Sequence, residues 1–360
     1  MMNKSRFLII QVVIAAIVVL IMVGWVIRNV REYGPKPDKR QVVRVMTYGS
    51  FMLPSGPGPL LKKEFETLCD CIIEYVDGGD SALFLEKLIQ FPERKVDLVL
   101  GLSVAHTFKA RTEFSWRNMQ WPEGVEWNKG IPPPERFKVN GMAKMLPFSW
   151  APMTFIYRKG EIEPPKSWSD LSKSVYADSL SVPDPRYAVS GIHLVTWVFS
   201  GSQREELSQE RMKALSHSLM SIAPSWSASY GMFRKKSAKL TFSYGTSPVY
   251  HWQEEKDFSY QPAVFKEGHP VEVEWAAIPK DCDACLKAEE FVHYLLRPSS
   301  QKILMERNYM FPVVAGVVGD SLFSQLPKLP LMDFEQMRVF IRHKDNLPQA
   351  FVDQLKDYVQ

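Results

Sequence analysis

The sequence lacks the short motifs that mark common catalytic sites. It contains no G-x-S-x-G nucleophile turn, no H-E-x-x-H zinc motif, no G-x-x-x-x-G-K-[ST] phosphate loop and no G-x-G-x-x-G turn after a predicted strand. It also contains no internal repeat and no low-complexity tract. No common catalytic signature is therefore present in the sequence.

An excess of positive charge is missing as well. The 44 lysines and arginines against 40 aspartates and glutamates leave a formal net charge of +4 over 360 residues, and no basic stripe with interleaved aromatics occurs. A nucleic-acid partner requires such a concentration of charge, so we expect none. The histidines are scattered, and His193, His251 and His293, in predicted helices, are interpreted as surface or packing residues.

Cysteine is scarce, and its four copies form two close pairs, Cys69-x-Cys71 and Cys282-x-x-Cys285. Their spacing is not a standard zinc pattern. A redox pair at Cys282 and Cys285 stays open, since a predicted helix follows it. Structural disulfides or buried free thiols are the favoured interpretation, and an oxidising location outside the cytoplasm favours the disulfides. A bridge between Cys69 and Cys71 requires a turn.

One long hydrophobic run occurs, at residues 7–27 (FLIIQVVIAAIVVLIMVGWVI). At about 1.5 Å per residue it spans roughly 30 Å, the thickness of a bilayer core. We predict an uncleaved membrane anchor at residues 1–27 rather than a signal peptide, followed by a charged linker at 28–41. The basic residues after the run favour a cytoplasmic C-terminal domain.

Residues 42–102 predict strands at 42–47, 72–76 and 96–102, separated by helices at 60–68 and 81–90. This order predicts a parallel sheet. A second α/β series follows, and strands near 148–152 and 270–276 are expected to cross between two lobes. We predict lobe 1 at 42–148 and 274–360, lobe 2 at 149–273, and late helices at 287–296, 299–306 and 336–341.

The stretch SYGTSPVYHWQEE, residues 243–255, gathers aromatic rings around a predicted helix start. Two further loop-to-helix junctions, Asp80-Ser81 and Ser190-Gly191, offer the unpaired N–H groups of a first helical turn. Aromatic faces attract cations within about 6 Å. A carboxylate beside such rings therefore predicts a pocket for a flat organic cation, although each ring taken alone also fits a core.

Four segments, 56–76, 96–102, 225–277 and 308–313, resemble the periplasmic thiamine-binding proteins of thiamine ABC importers. The resemblance covers most of residues 42–330 in order. It implies an α/β, two-lobed periplasmic-binding-protein-like (class II) fold with crossing strands, here preceded by one N-terminal transmembrane helix. It implies no cofactor, no metal and no catalysis.

The resemblance carries the family's pocket onto positions of this sequence. The ligand-binding residues that it implies are Asp80, Ser81, Trp226, Tyr244, Gly245, Thr246, Ser247 and Tyr250. Further candidate positions are Tyr48, Ala188, Val189, Ser190 and Trp252. In the family, the acid and the aromatics hold the two rings of the ligand, and the hydroxyl-bearing turns meet its hydroxyethyl or phosphate end.

This sequence departs from the family pattern on one wall. Ala188 and Val189 replace small hydroxyl residues, Ser55 replaces a tryptophan, and Val104 and Ala105 replace polar residues. Each lost hydroxyl partner costs on the order of 1 kcal/mol. The preference for a phosphorylated ligand therefore stays open.

The function expected is a solute-binding protein of an ABC importer that binds thiamine, or a phosphorylated or pyrimidine relative, between its lobes. It is expected to be a monomer, to be anchored by a single pass in the inner membrane with its binding domain in the periplasm, and to contact permease subunits. The importing role is preferred here over the flanking-charge count, because large domains can be exported despite such charge. The alternatives are a protein for another organic cation such as a polyamine, a sensor without transport, and an enzyme of pyrimidine or thiamine-precursor metabolism. Ferric-ion binding is disfavoured, because ferric relatives use adjacent tyrosines and none occur here.

Overall fold

The structure is a computed structural model that describes residues 16–26, 28–29, 40–93, 95–103, 110, 113–131, 138–199, 205–333, 337 and 347–359. The chain divides into a unit of residues 1–40 and a compact unit of residues 41–360. Residues 16–26 are helical. Within the described part of the chain, no helix is both long and apolar enough to cross a membrane. Residues 7–15 and 27 of the predicted run, and residues 30–39 of the predicted linker, lie outside the described residues.

The first half of the large sheet is parallel, as the sequence predicts. Strand β1 (Gln41–Thr47) lies between β2 (Cys71–Asp77) and β3 (Leu98–Ser103), and both run parallel to it. The intervening helices are α1 (Gly49–Met52), α2 (Gly58–Cys69), a 3-10 turn (Ser81–Leu83) and α3 (Phe84–Gln90). Helix α2 buries Leu61 and Phe65 and ends at Asp70, whose φ of 49° is left-handed.

Two long antiparallel strands join the halves of the sheet. β6 (Met145–Arg158) and β11 (Val271–Ala277) pair through residues such as Trp150 and Val273, and β11 also pairs with β3. The strand order is β2-β1-β3-β11-β6, followed by β9 (Leu240–Tyr244), β7 (Leu180–Pro183) and β8 (Leu219–Ala223). Strands β4 (Met119–Gln120) and β5 (Met142–Ala143) pair in a separate small sheet. The predicted crossing strands lie within β6 and β11, which places both lobes on one continuous sheet.

The second half of the sheet carries the elements of lobe 2. Its strands are β7 (Leu180–Pro183), β8 (Leu219–Ala223), β9 (Leu240–Tyr244) and β10 (Tyr260–Pro262). Its helices are α4 (Val189–Phe199), α5 (Glu205–Ser218), α6 (Trp226–Arg234) and the short α7 (Pro248–Tyr250), which a π-helical turn (His251–Glu255) continues. The sequence did not predict β8, where the chain leaves α5.

Two large hydrophobic clusters form separate cores. The first draws on β1, β3 and part of β11 with α2 and the late helices α8 (Cys285–Leu295) and α9 (Pro298–Asn308). The second draws on β7, β9 and α4, and it also takes in Phe351, Val352 and Leu355 of the C-terminal helix α10 (Leu347–Val359). That helix therefore packs with lobe 2, whereas the sequence assigned residues 274–360 to lobe 1. The predicted helix at 336–341 lies outside the described residues except Met337.

Both cysteine pairs are disulfides. Cys69 is bonded to Cys71 with a Cα–Cα distance of 5.1 Å, and Cys282 to Cys285 at 5.3 Å. The left-handed backbone of Asp70 supplies the turn that the first bridge requires. The prediction of disulfides is confirmed, and the free-thiol and zinc alternatives are wrong because all four sulfurs are bonded. The redox alternative for Cys282 and Cys285 is not tested by the bond and stays a prediction.

Candidate ligand site

A cluster of acidic and aromatic side chains lies where β11 crosses between the lobes. Glu272 and Glu274 are two positions apart on β11, so their side chains leave the same face of the strand. Both are nearly buried, at 1% and 8% exposed. Burying carboxyl groups is costly unless they are hydrogen-bonded or neutralised, which makes this pair the most unusual feature of the strand.

Glu274 is held by three hydroxyl and amide donors. The Tyr48 hydroxyl donates to its Oε2 at 3.0 Å, Asn308 Nδ2 donates to the same oxygen at 3.3 Å, and the Ser149 hydroxyl makes a further short hydrogen bond. Asn308 also donates to the Tyr48 hydroxyl at 2.7 Å. The pKa of Glu274 is raised to about 7, because burial and the charge of Glu272 raise it by more than the three donors lower it.

Glu272 lies between the two lobes. The hydroxyl of Ser103, at the end of β3, donates to its Oε2 at 2.6 Å, and the ring Nε2 of His193 on α4 forms a short hydrogen bond with the same oxygen. His193 is fully buried, so it is a packing residue, as predicted, but one that also bonds a carboxylate. Its Nδ1 has no hydrogen-bond partner among the described residues.

Asp80 is the third carboxylate. Its Oδ1 accepts hydrogen bonds from the backbone N–H of Ala82 at 3.0 Å and of Val189 at 3.1 Å. The first bond is an N-cap, and the second joins lobe 1 to the start of α4 in lobe 2. Burial raises the pKa of Asp80, the two N–H donors lower it, and Glu272 raises it.

Tyr244 connects the three acids to an aromatic wall. Burial raises the pKa of its phenol well above the usual value, and the charges of Glu272, Glu274 and Asp80 each raise it further. Its ring meets the Trp226 ring edge-on at 6.1 Å between centroids. Acidic and aromatic side chains therefore occur in one cluster, a combination that suits an organic cation.

Trp226 is fixed in that wall by its own contacts. Its indole N–H donates to the Ser243 hydroxyl at 2.8 Å, and that hydroxyl shares a hydrogen bond with the Ser247 hydroxyl at 2.8 Å. The Trp226 ring also stacks on Tyr230 at 5.2 Å. Helix α6 starts at this residue because Ser225 caps it by accepting from the Ala228 N–H at 3.1 Å.

The turn after β9 brings Gly245, Thr246 and Ser247 beside the wall. The Gly245 N–H donates to the Pro152 carbonyl at 2.7 Å, and a Cβ at this position would lie 2.6 Å from Leu329 Cδ1. A larger residue at this position requires the Leu329 side chain to shift. The Thr246 hydroxyl is fully buried and has no hydrogen-bond partner among the described residues.

The start of α4 forms the opposite corner. Ala188 and Val189 are buried, and so is Ser190, whose hydroxyl has no hydrogen-bond partner within the described part of the chain. Ser81, the residue after Asp80, is half-buried at the start of its 3-10 turn. Val104 and Ala105, which follow β3, lie outside the described residues.

Two of the predicted aromatics have other surroundings. Trp252 is buried in a small core with Val249, Met305 and Phe323, and its indole N–H donates to the Tyr260 carbonyl at 2.9 Å. The structure therefore shows Trp252 as a packing residue, whereas the prediction placed it beside the ligand. Tyr250 meets Tyr309 edge-on at 5.4 Å and Arg234 at 5.5 Å.

Comparison with known proteins shows the family. A family model described as a bacterial extracellular solute-binding protein matches residues 127–331. The chain belongs to this family. Its relatives include the thiamine-binding periplasmic proteins of Brucella melitensis, 30% identical over 301 residues that cover 82% of this chain and 86% of the relative, and of Salmonella typhimurium, 32% identical over 80% and 86%. The predicted resemblance is confirmed, and so is a binding role rather than an enzymatic one.

Solved structures of the family share the fold. A periplasmic thiamin binding protein superposes with a TM-score of 0.77 at 27% identity, covering 91% of this chain and 99% of that one. The apo ferric ion-binding protein A of Pasteurella haemolytica reaches a TM-score of 0.68 at 13% identity, covering 89% and 99%. The two-lobed periplasmic-binding-protein fold is therefore confirmed.

The sequence interpretation missed Glu272, Glu274 and the residues that hold them. A signal was present, since V-E-V-E-W places two acids on alternate positions of a strand predicted to cross between the lobes. Tyr48 was only a secondary candidate, yet it lies within the acidic cluster. Asn308 and Ser149 carry no local pattern, because their role depends on three separate elements meeting.

Proposed function

We propose that this chain is the solute-binding protein of an ABC importer and that it binds thiamine between its lobes in the periplasm. The observation that carries the proposal is the pair of buried carboxylates Glu272 and Glu274 on the strand that crosses between the lobes, with Asp80 hydrogen-bonded across to Val189 of the other lobe. Thiamine has two flat aromatic rings joined by a methylene group and carries a fixed positive charge, so it matches both the acids and the rings. The names of the relatives support the same ligand.

We infer that the ligand rings lie near Tyr48 and Tyr244, with Trp226 at the edge. Tyr244 is one of the groups that raise the pKa of Tyr48. The Tyr48 hydroxyl donates to Glu274 and accepts a hydrogen bond from Asn308. Among the described residues, Asp80 Oδ2 accepts no hydrogen bond, so it is available to a donor on the ligand. Lobe closure is then favoured because Asp80 bonds Val189 of the other lobe only when the lobes meet.

The remaining polar end of the ligand is assigned to Ser190 and Thr246, whose buried hydroxyls have no partner among the described residues. A buried hydroxyl without a partner costs free energy that a ligand group recovers. Ala188 and Val189 bring no hydroxyl to this corner. We therefore propose that unphosphorylated thiamine binds at least as tightly as its phosphates.

The test is a titration of the full chain with thiamine, its mono- and diphosphate and spermidine, followed by tryptophan fluorescence and thermal unfolding. We expect thiamine to bind at micromolar concentration or below, without turnover, and to raise the melting temperature. At a hundredfold excess over Kd, binding stabilises by about 2.7 kcal/mol. Saturation by spermidine with no response to thiamine would establish the polyamine alternative instead, and conversion of the ligand would establish an enzyme.

We also propose that residues 7–27 tether the protein to the inner membrane beside its permease. The run is apolar over a bilayer's thickness. Expressed with its native N-terminus, the protein is expected to stay in the membrane fraction after alkaline carbonate washing and to keep its N-terminal peptide in mass spectra. A soluble periplasmic product that starts after residue 27 contradicts the tether and leaves the ligand proposal intact.

A further inference from the structure

Two of the three carboxylates of the site, Glu274 and Asp80, accept no hydrogen bond from a lysine or arginine among the described residues. In the described residues, the groups that donate to Glu274 are Tyr48, Ser149 and Asn308, all neutral. Those that donate to Asp80 are backbone N–H groups. Buried like charges cannot all stay ionised, and one of them keeps a proton unless a cation compensates it. The empty site therefore needs either a proton or a cation.

Glu274 is the group suited to keep that proton. The titratable groups that face it are Tyr48 from the end of β1, Tyr244 from the end of β9 and Glu272 on its own strand. Glu272 opposes a negative charge on Glu274, whereas the Tyr48 hydroxyl, as a hydrogen-bond donor, favours it. Ser149 on β6 and Asn308 at the end of α9 face it as neutral groups. Glu272 differs, because the imidazole of His193 lies on its carboxylate.

Glu274 also holds Tyr48 in place. The Tyr48 hydroxyl donates to Glu274 and accepts from Asn308, and its ring covers Gly101 so closely that a Cβ there would lie 2.7 Å from a ring carbon. A change in the charge of Glu274 is thus transmitted to a ring that lines the site. It acts through Tyr48 rather than by touching the ligand.

We propose that Glu274 is a positioning residue that gives up its proton when the cationic ligand enters, so that binding is coupled to proton release. This inference rests on the proposed function, since it takes an organic cation as the ligand. Protons and ligand then compete for the empty site. Affinity is expected to rise about tenfold from pH 6 to pH 8, because the protonated fraction of a group that titrates near pH 7 falls from about nine-tenths to one-tenth.

The experiment is isothermal titration calorimetry of the full chain with thiamine at pH 6.5 in buffers of different ionisation enthalpy. The slope of heat against buffer enthalpy counts protons, and we expect roughly 0.7 proton released per ligand. Glu274→Gln, which keeps an acceptor oxygen, is expected to lose most of this release while still binding. Glu210→Gln, an exposed glutamate on α5, is the matched control and is expected to release as many protons as wild type.

Two outcomes overturn the inference while the function stands: thiamine binds without a buffer-dependent heat, or Glu274→Gln releases as many protons as wild type. A second measurement tests the inference even if Glu274→Gln misfolds or thiamine does not bind. The side-chain carboxyl carbon of Glu274, followed by NMR in the empty protein and assigned with Tyr48→Phe, is expected to titrate between pH 6 and 8. Titration near pH 4.5 overturns the proposal whether or not thiamine binds.

Discussion

Replacing Asp80 with asparagine is expected to weaken thiamine binding by about a hundredfold, which corresponds to about 2.7 kcal/mol. The ligand loses the ionic partner whose second oxygen is available to it, and a charge-assisted hydrogen bond in a buried site is worth more than a neutral one. The fold is expected to survive, because an asparagine Oδ1 still accepts from the Ala82 and Val189 N–H groups.

The sign of the stability change follows from the pKa of Asp80. Burial raises it, so in the folded protein the ionised form is disfavoured relative to the unfolded chain. The contribution of Asp80 to folding stability is therefore fully present at low pH. It is lost as the pH rises through the pKa that Asp80 has in the folded protein. At neutral pH, asparagine removes that penalty, and Asp80→Asn should therefore unfold at an unchanged or slightly higher urea concentration.

The measurement pairs a fluorescence titration with urea unfolding for each variant. Asp77→Asn is the matched control, because Asp77 also accepts a backbone N–H, that of Gly79 at 2.8 Å, but is exposed to solvent. It is expected to bind thiamine as wild type does. If Asp80→Asn lowers stability but leaves affinity unchanged, Asp80 is a helix cap and the assignment of the cation to it is wrong.

Tyr244→Ala is expected to weaken binding by about thirtyfold, or about 2 kcal/mol. The ring supplies an aromatic face within a partly desolvated acidic pocket, where a cation–π contact is worth up to about 2 kcal/mol. The Tyr244 ring also packs edge-on against Trp226, so the substitution removes a contact that holds the indole. Tyr244→Phe keeps the face and is expected to lose less than about fivefold.

Titration of these variants, with Tyr187→Ala as control, separates a ligand contact from general damage. Tyr187 lies in the same lobe, is 51% exposed and stacks only with the neighbouring Arg186 among the described residues. Its loss is expected to change neither affinity nor unfolding. Equal affinities for Tyr244→Ala and Tyr244→Phe would contradict the placement of the ligand rings against this wall.

Local periodicity was a sound guide to the elements that bury one regular face. The strands at 42–47, 72–76 and 271–278 were predicted within one or two residues of β1, β2 and β11. The C-terminal helix was not predicted, and its residues were assigned to lobe 1 although they pack in the core of lobe 2. The amphipathic pattern of a helix does not show which surface its apolar face packs against. Trp252 shows the same limit, because the local sequence of an aromatic residue at a helix start is the same whether its ring contacts a ligand or packs in a core.

The residues of the site were found unevenly for a related reason. Asp80, Trp226 and Tyr244 stand in recognisable motifs of the family, so the resemblance carried them over position by position. Glu274 was missed although its strand was predicted, because an acid on a crossing strand matters only through Tyr48 and Asn308, which are 226 and 34 residues away along the chain.

The amino-acid sequence by itself determined the family, most of the strands and helices, the two crossing strands and the candidates Asp80, Trp226 and Tyr244, because these depend on short patterns and on motifs that keep their spacing. Only the tertiary structure decided which candidates meet: that Asp80 reaches Val189 across the lobes, that Glu272 bonds His193, and that Glu274 holds Tyr48. The reason is physical. Burial and the nearness of other charges set the protonation of a carboxyl group, and both arise from chain segments that are far apart in sequence.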